Sequence, residues 1–540
     1  MDGGRRLLNV TDRALRIFMA FLVLVFVLYP FIAVFLKALL KEGSFGFSEF
    51  LFIKEELYLL KNSLKSSFLT ASISTIFAIS LSLMTFFISK RQRSFLMFVL
   101  LLTMVSPPFI GSLTYIQLFG RNGFITKTIL GLSINPYGMW GVVSVQTLGF
   151  TSATAMLLIT YLDSFDGTMI EAARSLGAKT SSILVDIVLP LIRPAILVSF
   201  LLNFIRAMAD FTSPMIIGGA FNTLATEGYL SIIAKGNSPR ASAISLVLFL
   251  PSIVVFIIYS YYYKQQQRAS KNLRRVSSRM EKSGLYYVLA FLAGFFILWL
   301  LIQYLAVFSA AITDRYQGKT FFTLQNIKDA RPHIRDSFVR SIGYSLIGAL
   351  VSSLLALVLS YYAFIRNFKY MKVIDFIANM PYIVPGTFFG LGYIFAFNKE
   401  PLKLTGTALI VILNLIFRQL PMSIRTVQTS MGQIEEETMA SAKDLGAHNL
   451  YILKDLVFPL SASGLFLAFT NGFISSMTTV GSIIFLVYPS RKLATLVLFD
   501  LVNSGKYKVA SVLSVFIILI CLGTSLVSYA VYRRGHVSRS

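Results

Sequence analysis

The sequence predicts an all-α integral membrane protein of twelve transmembrane helices, arranged as two parallel six-helix repeats. Three observations carry that prediction. Of 540 residues, 56% are hydrophobic and only 14% charged, with a mean hydropathy of +0.72, too little polar surface to cover a soluble globule. Apolar segments recur at the length of about 20 residues that a helix needs to cross roughly 30 Å of hydrocarbon. Between such segments one polar pattern occurs twice, 269 positions apart.

The twelve expected spans lie near 15–40, 63–89, 94–119, 137–162, 191–216, 240–263, 283–312, 337–365, 371–397, 404–428, 461–487 and 508–532. Their length, without alternating polarity, favours helices over the two-faced strands of an outer-membrane barrel. The first follows Arg5, Arg6, Arg13 and Arg16 but is too long for a secretory signal and lacks a small-residue cleavage site, so it reads as a retained helix. Pro107-Pro108, Pro381, Pro385-Gly386 and Gly390 interrupt otherwise apolar stretches. Two readings stand open for them: kinks that neighbouring helices compensate, or breaks that line a path.

Charge sets the orientation. The connections after spans two and eight carry Lys90, Arg91 and Arg93, and Arg366, Lys369 and Lys372; seven more basic residues lie between Lys264 and Lys282. With both termini and both copies of the polar pattern, they fall on one face, which the positive-inside rule assigns to the cytoplasm. Lys319, Lys328, Arg331 and Arg335 on the opposite face make the asymmetry moderate. The net charge of +25 therefore reads as topology and contact with anionic lipid, not nucleic-acid binding. Cys521, alone in the chain, excludes an intrachain disulfide.

The duplication divides the chain into a first half at 1–263, with a core at 60–263 and a polar loop at 163–190; a basic linker at 264–282; and a second half at 283–540, with a core at 337–532 and a polar loop at 429–459. Six spans per half give both halves the same orientation. Asn62-Ser63-Leu64 is expected to open span two as Asp336-Ser337-Phe338 opens span eight, and Pro107 pairs with Pro381 at the same offset of 274.

Between Ala173 and Leu191, ten of nineteen positions match their partners between Ala442 and Leu460, including Gly177 with Gly446, Pro190 with Pro459, and Asp186 with Asp455. These stretches are polar, so shared hydrophobicity does not explain the match. From Asp166 to Ser175 the residues favour a helix, with Ala172, Ala173 and Leu176 forming a small apolar patch, and Gly177 stops it as a C-terminal cap. A second short helix is expected from Thr180 to Val188, ending before Pro190. Small residues on such a loop let another protein approach the backbone closely.

The pattern Glu171-Ala172-Ala173, three residues, Gly177, then a run to Leu189-Pro190 resembles the signature loop of permease subunits of binding-protein-dependent ABC importers. The likeness occurs twice and covers essentially the whole chain. It implies the type I ABC importer transmembrane fold, in which this loop forms the coupling helix that docks in a groove of the cytoplasmic ATPase. Carried over by position, the coupling residues are Glu171, Ala172, Ala173, Gly177 and Pro190 in the first copy, and Ala442, Gly446 and Pro459 in the second. Ala440 and Ser441 stand where the second copy would have its glutamate and first alanine, so the two ATPase contacts are expected to be unequal. The resemblance also implies an extracytoplasmic solute-binding protein, a pair of ATPase subunits holding ATP and magnesium, no cofactor on this chain, and the inner membrane of a prokaryote. A fused two-half permease with Ala207-Met208-Ala209-Asp210-Phe211-Thr212 and Met477-Thr478-Thr479-Val480 looks most like the ferric-iron branch. Thiamine and aminoethylphosphonate permeases look similar.

Within the spans, Arg206 and Asp210 at i and i+4 are expected to share one helix face, either as a self-neutralising pair or with Asp210 and Thr212 on the path. Thr479 matches Asp210 in the second half, which places Thr478 and Thr479 on the candidate path as well. Arg418 is expected to anchor the inner end of span ten. Enzymatic signatures are lacking: Gly318-Lys319-Thr320 has no preceding P-loop glycine, and His333, His448 and His536 have no metal-ligand spacing. A secondary transporter coupled to an ion is the rival class; apart from Asp210 the spans offer it almost no acidic or histidine residue, Asp375 lying near an interface. An intramembrane hydrolase would need a nucleophile with a base, or a metal pair, which the spans do not offer.

Overall fold

The computed structural model describes residues 2–41, 44–46, 48–163, 167–269, 280–316 and 319–537. Most of the basic linker, Asp166 and Gly318 lie outside the described residues. The fold is helical, with two short hairpins, Leu40–Lys41 with Ser44–Phe45 and Thr313–Tyr316 with Lys319–Phe322, each directly after a long apolar helix.

Among the described residues, nine helices are long and apolar enough to cross a membrane, or eleven if two bent pairs each count as one span. The bent pairs are Lys90–Met104 with Phe109–Ile129, at 99°, and Asn449–Leu460 with Ala462–Thr478, at 71°. The expected span at 371–397 is not one helix. It divides into Lys369–Asn379 and Gly386–Ala396, because Pro381 and Pro385 remove two backbone donors within five residues. Gly390, expected to interrupt, sits inside the second of these. A Cβ there would lie 2.6 Å from the Ser482 carbonyl oxygen, so this glycine permits close backbone approach.

The core is built on small residues. In Leu57–Met84, Ser63, Ser67, Thr70, Ser74 and Ala78 are buried on one face, and in Gln325–Ser360 so are Ser341, Ser345, Ala349, Ser352 and Ala356. Spacings of three and four put such residues along one stripe, which lets helices pack at short range where lipid supplies no hydrophobic drive. Leu57–Met84 packs against Met139–Leu162 and Leu189–Ala209; Gln325–Ser360 packs against Ala408–Met431 and Ala462–Thr478. In the first set, Asn203 donates to Ser74 Oγ at 3.0 Å and accepts from Thr154 at 3.0 Å. Its positional counterpart in the second set is Gly472, where a Cβ would meet Ala349 at 3.4 Å.

The leading helices cross over. Arg6–Leu39 packs against Gly386–Ala396 and Ser238–Ala269, and Tyr393 Oη donates to the Phe26 carbonyl at 2.9 Å. Gly284–Ile312 packs against Leu57–Met84 and Phe109–Phe119 as well as Tyr507–Val537. Each therefore clamps residues from the far part of the chain. The Ser63 hydroxyl accepts from the Leu224 amide at 2.8 Å, and Ser341 does the same for Ala494 at 2.8 Å. The residue that plays the part of Ser63 is thus Ser341, one helical turn beyond the expected Ser337.

Candidate translocation cavity and polar loops

A cavity of about 550 Å³ lies among the broken helices, lined from both parts of the chain. Ser106, Pro107 and Pro108 form one wall, and Tyr382 to Gly386 another. Pro107, Pro108 and Pro385 thus stand at helix breaks on the cavity wall, whereas Pro381 and Gly390 are not among its lining residues. Pro108 and Pro385 each stand at the N-cap of the helix that follows, Phe109–Phe119 and Gly386–Ala396.

Three charged residues line the cavity: Arg206, Asp210 and Arg418. The expected i, i+4 pair does not form. The helix ends at Ala209, and Asp210 adopts extended backbone at φ −79°, ψ 111°, which takes its carboxylate off the face that carries Arg206. Asp210 Oδ1 accepts from the Thr212 amide at 2.9 Å, the Thr212 hydroxyl at 2.5 Å and the Ser213 amide at 3.4 Å. Gln146 Nε2 donates to Oδ2 at 3.1 Å, and Thr70 holds that amide by donating to Gln146 Oε1 at 3.0 Å. The carboxylate thus starts the next short helix, Thr212–Ile217, in the manner of a cap. Arg206 is exposed and, among the described residues, makes no hydrogen bond or ion pair. An arginine at the centre of a membrane span costs about 3 kcal/mol on insertion scales, less where it faces a water-filled cavity.

Arg418 does not anchor a helix end. It lies in the middle of Ala408–Met431 and donates to the carbonyl oxygens of Pro381 and, at 3.0 Å, Val384. Those carbonyls belong to the interrupted stretch, so the guanidinium satisfies acceptors that the helix break leaves open.

Of the four candidate path residues, Asp210 and Thr212 line the cavity, whereas Thr478 and Thr479 do not. Thr479 nevertheless breaks its helix as Asp210 does, with extended backbone at φ −71°, ψ 146°; its carbonyl accepts from Thr495 at 3.0 Å. The hydroxyl of Thr478 bonds back to Ile474 at 2.9 Å. Among the described residues, no three His, Cys, Asp or Glu side chains gather as metal ligands.

The two polar loops share one geometry. Thr168–Ser175 ends at Gly177, φ +79°, and Glu436–Asp444 ends at Gly446, φ +81°. In the first, Ala178 N–H donates to Ala173 O at 3.0 Å and Gly177 N–H to Arg174 O at 2.9 Å. In the second, Ala447 donates to Ala442 at 3.1 Å and Gly446 to Lys443 at 2.9 Å. Both are Schellman turns, which require the left-handed residue that glycine supplies. Nothing lies within 4 Å of a Cβ placed on either glycine. Leu176 and Leu445, just before the glycines, are each 88% exposed. Ala173 and Ala442 pack partly against the core, while Glu171, Ala172, Ala440 and Ser441 face outward. The apolar patch expected of Ala172, Ala173 and Leu176 is therefore split.

The expected second helix does not end before Pro190. A single helix runs from Thr180 to Ala209, with a π-turn at Ile183–Val188 and Pro190 in the turn that follows it. After the second loop a π-turn recurs at Ile452–Val457, but the chain bends after Pro459 and Leu460 before continuing as Ala462–Thr478.

Residues 74–268 match the family described as the binding-protein-dependent transport system inner membrane component. The ferric transport system permease protein FbpB of Actinobacillus pleuropneumoniae is 28% identical over 521 residues, which cover 94% of this chain and 76% of the relative. A putative ferric transport system permease protein FbpB 1 of Haemophilus influenzae is 28% identical over 482 residues, 86% of this chain and 76% of the relative. The spermidine/putrescine transport system permease protein PotC of Escherichia coli matches a shorter stretch, 28% identical over 168 residues, or 31% of this chain and 59% of the relative. These relatives are transport permeases, not enzymes.

Proposed function

We propose, from the match of residues 74–268 to the inner membrane component family of binding-protein-dependent transport systems, that this chain is the permease of an ATP-driven importer. It crosses the inner membrane twelve times as two fused six-span halves, with both termini and both polar loops in the cytoplasm. Lys369–Asn379 and Gly386–Ala396 together make the span that is too interrupted to count as one helix. The halves divide at the 264–282 linker.

The observation that carries this reading is the repeated Leu-Gly turn, Leu176-Gly177 and Leu445-Gly446. Two leucines fully open to solvent at matching positions are costly to leave bare, since burying one contributes about 1.5–3 kcal/mol. A groove on each of two ATPase subunits is the partner that would cover them. Glu171, Ala172 and Ala173 would line the first contact, and Ala442 the second, with Pro459 just before the bend where the second loop enters its span and Pro190 inside the continuous helix that follows the first. Closure of the ATPases around ATP then moves the loops, and the cavity opens to one side or the other. Energy enters only as the difference in ATPase affinity between those two states. ATP and magnesium belong to the partner.

Ferric iron is the cargo favoured by the relatives named for ferric transport, delivered by an extracytoplasmic solute-binding protein. An ion-coupled carrier would use Asp210, but four donors already occupy that carboxylate. Uptake of radioiron by cells lacking the chain, with and without its return, tests the reading. Restored, ATP-dependent uptake supports it; uptake that persists after ATP depletion and collapses with the proton gradient favours the carrier.

A further inference from the structure

We propose that the cavity selects an oxyanion, so that the cargo passes as an oxygen-rich anion, free or holding a metal ion, and not as a bare cation. The proposal deepens the importer reading above and rests on it. Of the three charged residues on the cavity wall, two are arginines. Asp210, the only carboxylate among the described lining residues, has both oxygens engaged by Thr212, Ser213 and Gln146. A cation entering the cavity would meet a carboxylate whose charge is already shared among those four donors.

Of the neutral polar groups on the wall, Gln303 keeps one buried oxygen without a hydrogen-bond partner, whereas others are committed. Gln146 accepts from Thr70 at 3.0 Å and donates to Asp210. Tyr304 and Ser106 share a hydrogen bond at 2.7 Å. Arg418 keeps its charge on the wall while it holds the Pro381 and Val384 carbonyls. Arg206 is different: it lines the cavity, is exposed, and has no partner among the described residues. Its guanidinium offers five N–H donors and no acceptor, in a fork that matches carboxylate and phosphate oxygens.

A bare trivalent or divalent cation wants the reverse, several carboxylate, phenolate, thiolate or imidazole donors converging on one point. Among the described residues no such group of acidic, cysteine or histidine side chains exists. The cavity is therefore built to attract negative charge. Within the permease class, this disfavours cationic solutes such as thiamine and favours phosphonates or ferric ion held by an oxyanion.

The test uses the whole transporter, the full chain with its ATPase and binding protein, in proteoliposomes with phosphate as the only oxyanion. Radioiron and radiophosphate are supplied together and separately. The expected result is ATP-driven entry of radiophosphate, alone if the free oxyanion is cargo, or only alongside radioiron if the complex is. Arg206→Gln should lower that uptake about ten-fold, the loss of one charge-assisted contact, and Arg206→Lys should recover part of it. Lysine keeps the charge, so the recovery also separates lost recognition from lost folding. Radioiron entering without radiophosphate, or Arg206→Glu importing at the wild-type rate, overturns the proposal and leaves the permease reading standing. Wild-type proteoliposomes that import neither label with ATP overturn both.

Discussion

Asn9 Oδ1 and His448 Nε2 lie 3.1 Å apart, joining the N-terminal helix to the second polar loop across 439 positions of sequence. His448 Nδ1 also accepts from the Leu450 amide at 3.3 Å, which leaves Nε2 as the donor to Asn9. A few residues on, Asp12 is buried against Arg366 at 3.0 Å, Arg16 at 3.2 Å and the Tyr362 hydroxyl at 2.9 Å. Tyr361 reaches the same loop by donating to the Asn449 carbonyl at 2.8 Å. At the matching place in the first loop stands Lys179, which caps its helix with no side-chain bond. The second loop is therefore braced by the N-terminal helix, a contact with no counterpart at the first loop among the described residues.

Asn9→Ala should loosen the second loop alone. Removing one exposed hydrogen bond costs about 1 kcal/mol, so amide exchange across residues 445–451 should rise several-fold while exchange across 176–182 stays unchanged. Hydrogen-exchange mass spectrometry of the purified chain checks this. Equal change in both loops would show that the brace is not local.

Asp210 is expected to act first as the start of a helix. Asp210→Ala removes every acceptor offered to Thr212 and Ser213 and should destabilise the chain by about 1–3 kcal/mol. Asp210→Asn keeps one carbonyl oxygen and should recover most of that. Thermal melting of both variants in detergent decides it. Equal melting temperatures for Asp210→Ala and wild type would remove the capping role.

Arg418→Leu should leave the Pro381 and Val384 carbonyls without their donor. Buried acceptors left open cost about 1–3 kcal/mol each, so this variant should melt well below wild type. Arg418→Lys, with a single compact ammonium, should fall between them. A fully stable Arg418→Leu that no longer transports would instead make this arginine a cargo contact.

Leu176→Cys and Leu445→Cys should both react rapidly with a membrane-impermeant maleimide in inside-out vesicles, and not in right-side-out vesicles. Cys521 is buried and free, so the background should be low. Added ATPase should protect both positions. Labelling of the two from opposite sides would contradict the parallel arrangement.

What the sequence reveals and what it conceals follow from range. Gly177 and Gly446 are legible because a C-terminal cap is a local device, set by one residue's backbone freedom, and the matching Schellman turns show it. The break at Asp210 is not, because a polar residue four positions after an arginine fits a helix equally well. What ends that helix is an amide turn at Thr212 and Ser213, plus Gln146 from a helix more than sixty positions earlier. Arg418 is misread for the same reason, since its acceptors lie 37 and 34 positions away. The one-turn slip from Ser337 to Ser341 arises because serines repeat every four residues along that helix, so motif matching alone cannot choose among them. That same repeat was a usable signal of helix packing, present in the spacing of Ser63, Ser67, Thr70 and Ser74.

The central claim is that a separate ATPase grips both Leu-Gly turns, and the most direct measurement is co-purification of the chain from its native membrane, with an ATPase assay on the eluate. The left-handed position costs most L-residues roughly 1–2 kcal/mol and aspartate less, so the aspartate acts mainly by placing a charged side chain in the open space in front of each turn. The account expects a nucleotide-hydrolysing subunit to elute with wild type and to be lost from the Gly177→Asp, Gly446→Asp double variant, which still inserts in the membrane but no longer transports. A double variant that keeps the subunit and imports normally would contradict it.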